Sequence, residues 1–381
     1  MRYNSVTKIV FVISELKIGG AEKILHDLAL KLHQDTASYQ VAVVCLYKKG
    51  KLGEDLSNKG VEIHEGIMNN KFDITGVFKF VDILKRKNPH ILYIAGQTLT
   101  QMVTFISSIF VRIPVSVIRL PSYDLDARPY YRALVNKISL YQANKIICVS
   151  MAQKENIINK ERIASEKIEV IYNGVDIDKF KPDKTGGSKS KFLIPDNSAV
   201  IGVVACLRKE KALDALIKAM PHVLTHCLNV FLVIAGNGKE YGHLRKTAEG
   251  LGISSNIRFL GEREDIADII PLFDIACLSS VSGIENFSNS ILEYMSCGKP
   301  VITTKVGGIP EMITHGFNGL LVNSNSPHEL AEGIISLINN KGLCASMGAN
   351  GRKTAEEKFG LEIMLGNYKR FFERIRYENI N

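Results

Sequence analysis

Residues 275–304 read IACLSSVSGIENFSNSILEYMSCGKPVITT and contain an apolar run, a Ser-rich loop, a helical pattern and a second apolar run. The first run ends near Ser279, and the second begins at Val301. A short run of apolar residues bounded by turn-forming residues is typical of a buried strand. The stretch therefore predicts a strand–helix–strand unit, from which parallel sheets are built.

The same alternation continues through the whole chain in two blocks. The first block contains seven predicted strands, at residues 8–14, 41–47, 61–65, 91–95, 115–119, 145–150 and 169–172. After the polar, Gly-containing stretch 181–191 come six more, at residues 200–205, 230–235, 257–260, 275–279, 301–304 and 320–322. Strands that alternate with helices give parallel sheets with helices on both faces. We therefore predict an α/β protein of two Rossmann-like domains that face each other across a cleft.

The boundaries of the two domains follow from these blocks. We place the N-terminal domain at residues 1–178 and the C-terminal domain at residues 179–360, with a hinge at Asn173-Gly174 and the segment after Lys179. The last helical stretch, 361–377, is predicted to cross back, so that residues 361–381 complete the first domain. A chain of 381 residues has ample length for two domains.

Composition and charge exclude several classes of protein. The seven cysteines are scattered and form no C-x-x-C pair, which argues against a disulfide framework or a zinc site and favours a reducing, cytoplasmic location. The apolar region 91–118 is interrupted by Gln, Arg and Pro residues, so that no run within it reaches the roughly 18 apolar residues that a membrane span needs. We expect no nucleic-acid partner, since no zinc-finger or RNA-binding signature is present.

Most of the excess positive charge lies in the first half of the chain. Residues 1–178 contain 24 Lys and Arg against 18 Asp and Glu, and four basic residues lie on or near one predicted helix: Lys79, Lys85, Arg86 and Lys87. This pattern is compatible with peripheral contact with anionic lipid at the inner face of the cell membrane, or with a solvated helix face.

Two glycine-containing loops follow predicted strands. Gly19-Gly20 precedes the first helix, where glycines allow close backbone approach and the helix N-terminus favours an anion. The loop Gly236–Gly242 begins like a dinucleotide fingerprint, but Tyr241 occupies the place of the third glycine. A nicotinamide cofactor is therefore disfavoured.

Two carboxylates stand out in the stretch that opened this section. Glu285 lies in the loop, and Glu293 lies in an early turn of a helix predicted to begin near Ser288. A carboxylate at the position of Glu293 can accept hydrogen bonds from a ribose diol. The backbone amides of residues 286–290, at the start of this helix, can bind an anion. The alternative is a capping box, Ser290 to Glu293, with Glu285 as an ordinary loop residue.

The spacing of these two glutamates resembles the signature of the retaining, GT-B-fold glycosyltransferases of family 4 (glycosyl transferase group 1). Further matching fragments occur in the family's order: IGGAE at 18–22, VIYNGVDIDKF at 170–180, AGNGKE at 235–240, FLG at 259–261, VGGIPEMI at 306–313 and GFNGLLV at 316–322. The resemblance implies metal-independent, retaining transfer of a hexosyl or N-acetylhexosaminyl group from a nucleotide diphosphate sugar, most often UDP-linked. It implies no cofactor besides this co-substrate.

The resemblance also implies roles for individual residues. Glu285 would bind donor-sugar hydroxyls and Glu293 the ribose, while Lys211 would neutralise the diphosphate leaving group. The amides of Asn286, Phe287 and Ser288 would face the sugar and diphosphate, and Gly19 and Gly20 would face the donor from the first domain.

The sequence departs from the family pattern beside the lysine. Cys206 stands where an arginine is usual, and Arg208 is the nearest candidate to replace it. Ala212 and Asn286 stand where glycines are usual. A second hypothesis is therefore a catalytically degenerate member that serves as a binding or scaffolding subunit.

The acceptor side is less defined. Gln97 and Arg119 follow predicted strands of the first domain and could reach an acceptor, or could brace their loops. A glycan or lipid-linked acceptor of the cell envelope is the expected partner.

Overall fold

Strands and helices alternate along the chain as the sequence predicts. The computed structural model describes residues 6–96, 98–120, 130–182, 189–281 and 285–380. This part of the chain contains thirteen strands, one for each apolar run identified above, and they form two sheets in which all paired neighbours are parallel. The α/β prediction is therefore confirmed.

The first sheet is built from the N-terminal half of the chain. Its described strands are β1 (Thr7–Ile13), β2 (Tyr39–Cys45), β3 (Glu62–His64), β4 (Ile91–Ile94), β5 (Val115–Leu120), β6 (Lys145–Cys148) and β7 (Ile168–Val170). The helices between them are α1 (Gly20–Gln34), α2 (Gly50–Asn58), α3 (Ile74–Lys87), α4 (Thr98–Ser108), α5 (Tyr130–Gln142) and α6 (Met151–Glu161). The strand order is β3-β2-β1-β4-β5-β6-β7.

The second sheet repeats this plan. Its described strands are β8 (Ala199–Val204), β9 (Val230–Ala235), β10 (Ile257–Gly261), β11 (Ile275–Leu278), β12 (Val301–Thr304) and β13 (Gly319–Val322). The helices are α7 (Leu213–His226), α8 (Tyr241–Gly250), α9 (Ile266–Ile269), α10 (Asn289–Ser296), α11 (Pro327–Asn339) and α12 (Lys341–Lys358). The strand order is β10-β9-β8-β11-β12-β13, the arrangement of a Rossmann sheet.

The chain divides into two compact units. One comprises residues Met1–Tyr172 and Met364–Asn381, and the other comprises Asn173–Ile363. The last helix, α13 (Leu361–Ile380), begins in the second unit and belongs to the first from Met364 onward.

Helix α13 is held in the first unit by apolar and polar contacts. Tyr368 is buried, and its hydroxyl lies 3.1 Å from that of Tyr93 on β4. Lys369 forms an ion pair with Asp35 at 2.7 Å. A helix of twenty residues thus contributes an apolar face to the core of a unit whose other elements lie more than 180 residues earlier.

The inner strands of both sheets are largely buried on both faces, whereas the edge strand β3 is partly exposed. Every residue of β4, β11 and β12 is buried. This explains why the strands read as continuous apolar runs and not as an alternation of apolar and polar residues. Within the described residues, no helix combines the length and the apolar composition needed to cross a membrane.

Candidate functional site

Two loops leave the second sheet where its strand order reverses. Strand β8 has β9 on one side and β11 on the other, so the connections that follow β8 and β11 turn in opposite directions. In parallel α/β sheets, ligands bind in the crevice beyond the carboxyl ends of two such strands. The connection after β8 contains Arg208 and Lys211, and the connection after β11 leads to Glu285.

Lys211 ends a short 3-10 turn, Lys209–Lys211. The next residue, Ala212, has φ 44° and ψ 40°, which is the left-handed region that glycine adopts freely. An alanine there costs about 1–2 kcal/mol. Ser279, at the end of β11, places its Oγ within hydrogen-bond distance of the carbonyl oxygens of Lys211 (3.1 Å) and Ala212 (2.9 Å). The end of β11 thus fixes the turn that carries Lys211.

The ammonium group of Lys211 forms an ion pair with the carboxylate of Glu285. Ser280 Oγ donates a hydrogen bond to the same carboxylate oxygen at 3.0 Å. Thr304 Oγ1, at the end of β12, donates to the carbonyl of Ser280 at 2.5 Å. The exposed fractions are 23% for the Lys211 side chain and 11% for that of Glu285, so the pair is largely withdrawn from water. The switch point therefore presents one cation and one anion in direct contact.

The backbone at Glu285 is held by the turn after β12. Gly307 has φ +52°, and a Cβ built on it would lie 1.7 Å from the carbonyl oxygen of Glu285. Gly308 N donates to the carbonyl of Asn286 at 3.0 Å. A side chain at position 307 could not be accommodated without moving the backbone of Glu285.

Helix α10 begins directly after these residues. Ser288 is its N-cap, with Oγ accepting from the backbone N–H of Ile291 at 3.5 Å. The helix begins where the sequence predicted it, and Ser290 is not the cap. Ser290 Oγ instead donates to the carbonyl of Val204 at 2.8 Å, while Val204 N donates to Tyr294 Oη at 2.6 Å. Two side chains thus attach α10 to the end of β8.

Asn286, Phe287 and Ser288 are all buried. The Phe287 ring packs edge-on against Phe359, with 5.5 Å between the ring centroids. Asn286 Nδ2 is buried and has no hydrogen-bond partner among the described residues. An unsatisfied buried amide costs about 1–3 kcal/mol, and a polar ligand that accepts a hydrogen bond from this amide would remove the cost.

Glu293 lies in the second turn of α10. Burial raises the pKa of its carboxyl to about 7, and the nearby Lys179 ammonium opposes this shift. Glu293 as a residue is half-buried, and its carboxyl group is surrounded mainly by protein. Glu293 therefore changes its protonation state close to neutral pH.

The glycine loop after β9 packs against the loop after β8. Gly236 has φ +142°, and a Cβ there would lie 1.9 Å from the carbonyl oxygen of Ala205. A Cβ on Gly238 would lie 2.3 Å from the carbonyl oxygen of Leu207. The backbone N–H of Leu207 also donates to the carbonyl of Asn237 at 3.0 Å. These glycines shape the loop that carries Lys211. Cys206 and Arg208 are exposed on that loop.

Two family models match the chain, one for each half. Residues 18–179 match Glycosyltransferase Family 4, and residues 187–354 match Glycosyl transferases group 1. Together they leave out only the two ends of the chain and residues 180–186. The chain belongs to the GT-B glycosyltransferases of family 4.

Relatives of this glycosyltransferase occur in archaea and bacteria. A glycosyltransferase of Methanocaldococcus jannaschii is 31% identical over 254 residues, 65% of this chain and 62% of the relative. The N-acetyl-alpha-D-glucosaminyl L-malate synthase of Bacillus anthracis is 25% identical over 317 residues, 81% of each chain. The crystal structure of Anabaena HepE in complex with UDP has a TM-score of 0.83 and 24% identity, over 97% of this chain and all of HepE, and this likeness shows the fold.

The first unit of the glycosyltransferase contains the other predicted residues. Gly19 is the N-cap of α1, Gly20 is its first residue, and a Cβ on Gly19 would lie 2.3 Å from a carboxylate oxygen of Glu22. Ser14 Oγ, after β1, lies 2.8 Å from Thr100 Oγ1 at the start of α4. The loop that contains Gly19 and Gly20 follows β1, the strand at which the first sheet reverses its order.

Arg119 is buried, with only 1% of its surface exposed. Burial lowers the pKa of its guanidinium, but a hydrogen bond with Tyr368 and the charges of Tyr368, Tyr93 and Glu22 outweigh this effect and raise the pKa. This arrangement favours the bracing alternative over the acceptor role, because the charge is directed into the unit and not toward solvent. Gln97, the other predicted acceptor residue, lies outside the described residues.

Sequence reasoning assigned no role to Ser280, Gly307 or Tyr294. The Ser279-Ser280 pair at a strand end was a usable signal, since hydroxyls at that place can hydrogen-bond a neighbouring loop. Gly307 lies in the VGGIPE fragment, which the resemblance had already singled out. Tyr294 resembles an ordinary core aromatic, and nothing in the sequence distinguishes it.

We predict that Gly307→Ala destabilises the glycosyltransferase more than Gly316→Ala does. Both glycines have positive φ, but a Cβ on Gly316 would meet nothing within 4 Å. Both variants should lose about 1–2 kcal/mol from backbone strain. Gly307→Ala should lose about 1–3 kcal/mol more through the clash with Glu285. Urea unfolding measures both, and equal losses would show that the close approach at Glu285 imposes no constraint.

Proposed function

We propose that this chain transfers a sugar from a UDP-linked sugar to a lipid-linked or other cell-envelope glycan acceptor, with retention at the anomeric carbon and without a metal ion. The observation that carries the proposal is the contact of Lys211 with Glu285 at the switch point of the second sheet. This pair lies within the part of the chain that matches the group 1 family model.

The choice of donor draws on the relatives. Anabaena HepE has been crystallised with UDP and with UDP-glucose. The Bacillus anthracis relative is named for an N-acetyl-alpha-D-glucosaminyl product. A hexosyl or N-acetylhexosaminyl group carried by UDP is therefore the donor we propose.

Lys211 stabilises the leaving group in this proposal. When the bond between the anomeric carbon and the β-phosphate oxygen breaks, both electrons leave with the oxygen and the sugar becomes oxocarbenium-like. A fixed ammonium group is most effective where such charge develops, in a site from which water is largely excluded. The partial burial of Lys211 and its fixed turn fit this role.

Glu285 exchanges partners when the donor binds. Without a ligand its carboxylate accepts from Lys211 and Ser280. With the donor bound, Lys211 turns to the diphosphate and the carboxylate accepts from sugar hydroxyls. The acceptor oxygen then bonds to the anomeric carbon on the face that the phosphate leaves, and its proton passes to the departing phosphate oxygen. This route needs no protein base and no metal ion.

The scaffolding alternative rests on Cys206 and Ala212. At Ala212, however, the backbone keeps the left-handed turn that a glycine would take, despite the cost of a side chain there. The turn that orients Lys211 is therefore retained, which supports the catalytic proposal. We propose that Arg208, exposed on the same loop, supplies the second cation that an arginine at position 206 would otherwise provide.

The first test of the proposal separates binding from turnover. Glu285→Gln should lower turnover by about 10²–10³-fold, because a polar contact formed with the reacting sugar is lost. Its affinity for UDP should not fall, since Lys211 is released from its counter-ion. Lys211→Ala should weaken UDP binding by about one to two decades, the contribution of a charge-assisted contact. Turnover assays and calorimetric titration with UDP measure the two effects.

Lys209→Ala is the matched control, because Lys209 is an exposed lysine on the same short turn. It should leave UDP binding unchanged. Loss of UDP affinity in Glu285→Gln equal to its loss of turnover would contradict the role of Glu285. If UDP does not protect the wild-type protein from thermal unfolding, the scaffolding alternative is preferred. Protection by NAD instead would indicate an oxidoreductase.

The second test uses the pKa of Glu293. The ionised carboxylate only accepts hydrogen bonds and ribose hydroxyls can donate them, so the donor should favour the ionised form. Affinity for a UDP-sugar should therefore rise with pH, by up to about tenfold per unit below pH 7, and level off above it.

A UDP-sugar is used because the terminal phosphate of UDP itself titrates near pH 6. Glu293→Gln should bind the UDP-sugar with the same affinity across this range. If the UDP-sugar affinity of Glu293→Gln depends on pH as that of the wild type does, Glu293 does not bind the ribose.

The acceptor side of the proposal rests on an exposed surface of the first unit. Five large apolar side chains on and beside α3 and at the end of α4 are exposed, and we call them the α3–α4 patch: Phe72, Ile74, Phe78, Ile109 and Phe110. The Phe78 and Phe110 rings lie 5.6 Å apart, so the two helices contribute to one surface. A cluster of this kind is unusual on a protein that contacts only water.

Basic residues lie close in sequence to the α3–α4 patch. Lys71 lies over the Phe72 ring at 5.0 Å, and Lys79, Lys85 and Arg112 are exposed. Lys87 forms an ion pair with Glu62, and Arg86 forms one with Asp82, so the charges of these two basic residues are partly neutralised. Exposed apolar side chains with basic residues on the same elements fit the headgroup region of an anionic lipid bilayer. We therefore propose that this patch holds the enzyme at the membrane where a lipid-linked acceptor resides.

Vesicle co-sedimentation tests this membrane contact. The wild-type chain should bind phosphatidylglycerol vesicles at low salt, and the binding should weaken as ionic strength rises. Phe72→Ser/Ile109→Ser should lower the affinity at least tenfold, since burial of an exposed apolar side chain contributes about 1.5–3 kcal/mol. The control, Leu228→Ser, removes an exposed leucine of the second unit and should change nothing. Equal binding by all three proteins, or none at any salt, would favour an acceptor free in solution.

A further inference from the structure

A second group of polar side chains lies on the helices α7 and α11 of the second unit, and it includes none of the residues described at the switch point. His222 lies in the last turns of α7, and His328 and Glu332 lie in the first turns of α11. Among the described residues, these three form the group whose ligand atoms are all within 4.8 Å of one another.

The three side chains lie near one another in the folded chain. His222 Nε2 lies 2.8 Å from a carboxylate oxygen of Glu332. The rings of His222 and His328 are stacked, with 5.5 Å between their centroids. Ligand atoms at 2.0–2.1 Å around a tetrahedral ion are about 3.3 Å apart, so small side-chain rotations would bring the three atoms to that spacing.

We propose that His222, His328 and Glu332 form a binding site for a divalent transition-metal ion, Zn²⁺ or Ni²⁺. Two imidazoles and one carboxylate are a ligand set that such ions accept, with water in the remaining position. Hard cations such as Mg²⁺ prefer oxygen ligands and would bind poorly.

The site is open to solvent, so an ion can reach it. The exposed fractions are 39% for the His222 side chain and 55% for that of Glu332, and His328 is exposed. His222 lies on α7, and His328 and Glu332 are one turn apart on α11, so the three ligands come from two packed helices.

His226 is a neighbour and not one of the three ligands. Its ring lies 4.6 Å from that of His222, but its Nδ1 lies 2.9 Å from the carbonyl oxygen of His222 and 3.0 Å from Thr225 Oγ1. An ion held by the three ligands would cross-link α7 and α11, the helices that cover one face of the second sheet. It would stabilise the folded chain in proportion to its occupancy.

Calorimetric titration and thermal unfolding of the untagged, EDTA-treated full chain test this proposal, with ZnCl₂ as the probe. One equivalent of Zn²⁺ should bind and raise the unfolding midpoint, while MgCl₂ should do neither. His222→Ala and Glu332→Gln should each raise the Kd for Zn²⁺ at least tenfold. His243→Ala, which removes an exposed histidine on α8, should bind Zn²⁺ like the wild type.

Two results would overturn the proposal. One is the absence of Zn²⁺ binding to the wild-type chain at 100-fold molar excess. The other is Zn²⁺ binding that persists unchanged in both His222→Ala and Glu332→Gln, which would place the ligands elsewhere. Because Glu332→Gln changes an exposed side chain while retaining its size, loss of folding cannot account for its result, and unchanged far-UV circular dichroism verifies this.

Discussion

The hydrogen bond from Val204 N to the hydroxyl of Tyr294 is the constraint on which the site depends. Pairing between β8 and β11 ends at Gly202, whereas pairing between β8 and β9 continues to Val204. Ala205 N donates toward β9, so the N–H of Val204 points to the opposite side, where β11 no longer accompanies it. A buried N–H without a partner is costly, and the tyrosine supplies the missing acceptor. Helix α10, which carries Glu293, is thereby attached at the reversal point of the sheet, while the turn after β12 holds the backbone at Glu285.

The charges at this point compensate each other before any ligand arrives. Lys211 and Glu285 are the two groups that a sugar diphosphate would engage, and each is the other's counter-ion in the free protein. Breaking the pair has a cost, which is offset most completely when a diphosphate engages Lys211 and a sugar engages Glu285 at the same time. In the proposed function, this requirement favours the intact donor over either fragment. The strained turn at Ala212 and the hydroxyls of Ser279 and Ser280 keep both groups in place.

Strands and helices could be predicted from the sequence where neighbouring residues in the chain decide the local conformation. All thirteen predicted strands are present, and the inner strands are mainly apolar because helices cover both of their faces. Helix α10 begins at Ser288 because its hydroxyl can accept from the first turn. The competing capping box at Ser290 had the right residue types. It does not form, since Ser290 already lies inside the helix, and its hydroxyl donates to the carbonyl of Val204 instead. That partner is 86 residues away in sequence.

The α/β class, the order of the elements and the residue types of the proposed donor site follow from the sequence alone. Periodicity, capping and glycine placement act over a few residues and can be recognised along the chain. The folded structure was needed to show that Arg119 is buried and that burial raises the pKa of Glu293 to about 7. It also decided that His222, His328 and Glu332 come together. Burial and proximity of charges depend on which distant segments pack around a residue, and that information appears only when the chain is folded.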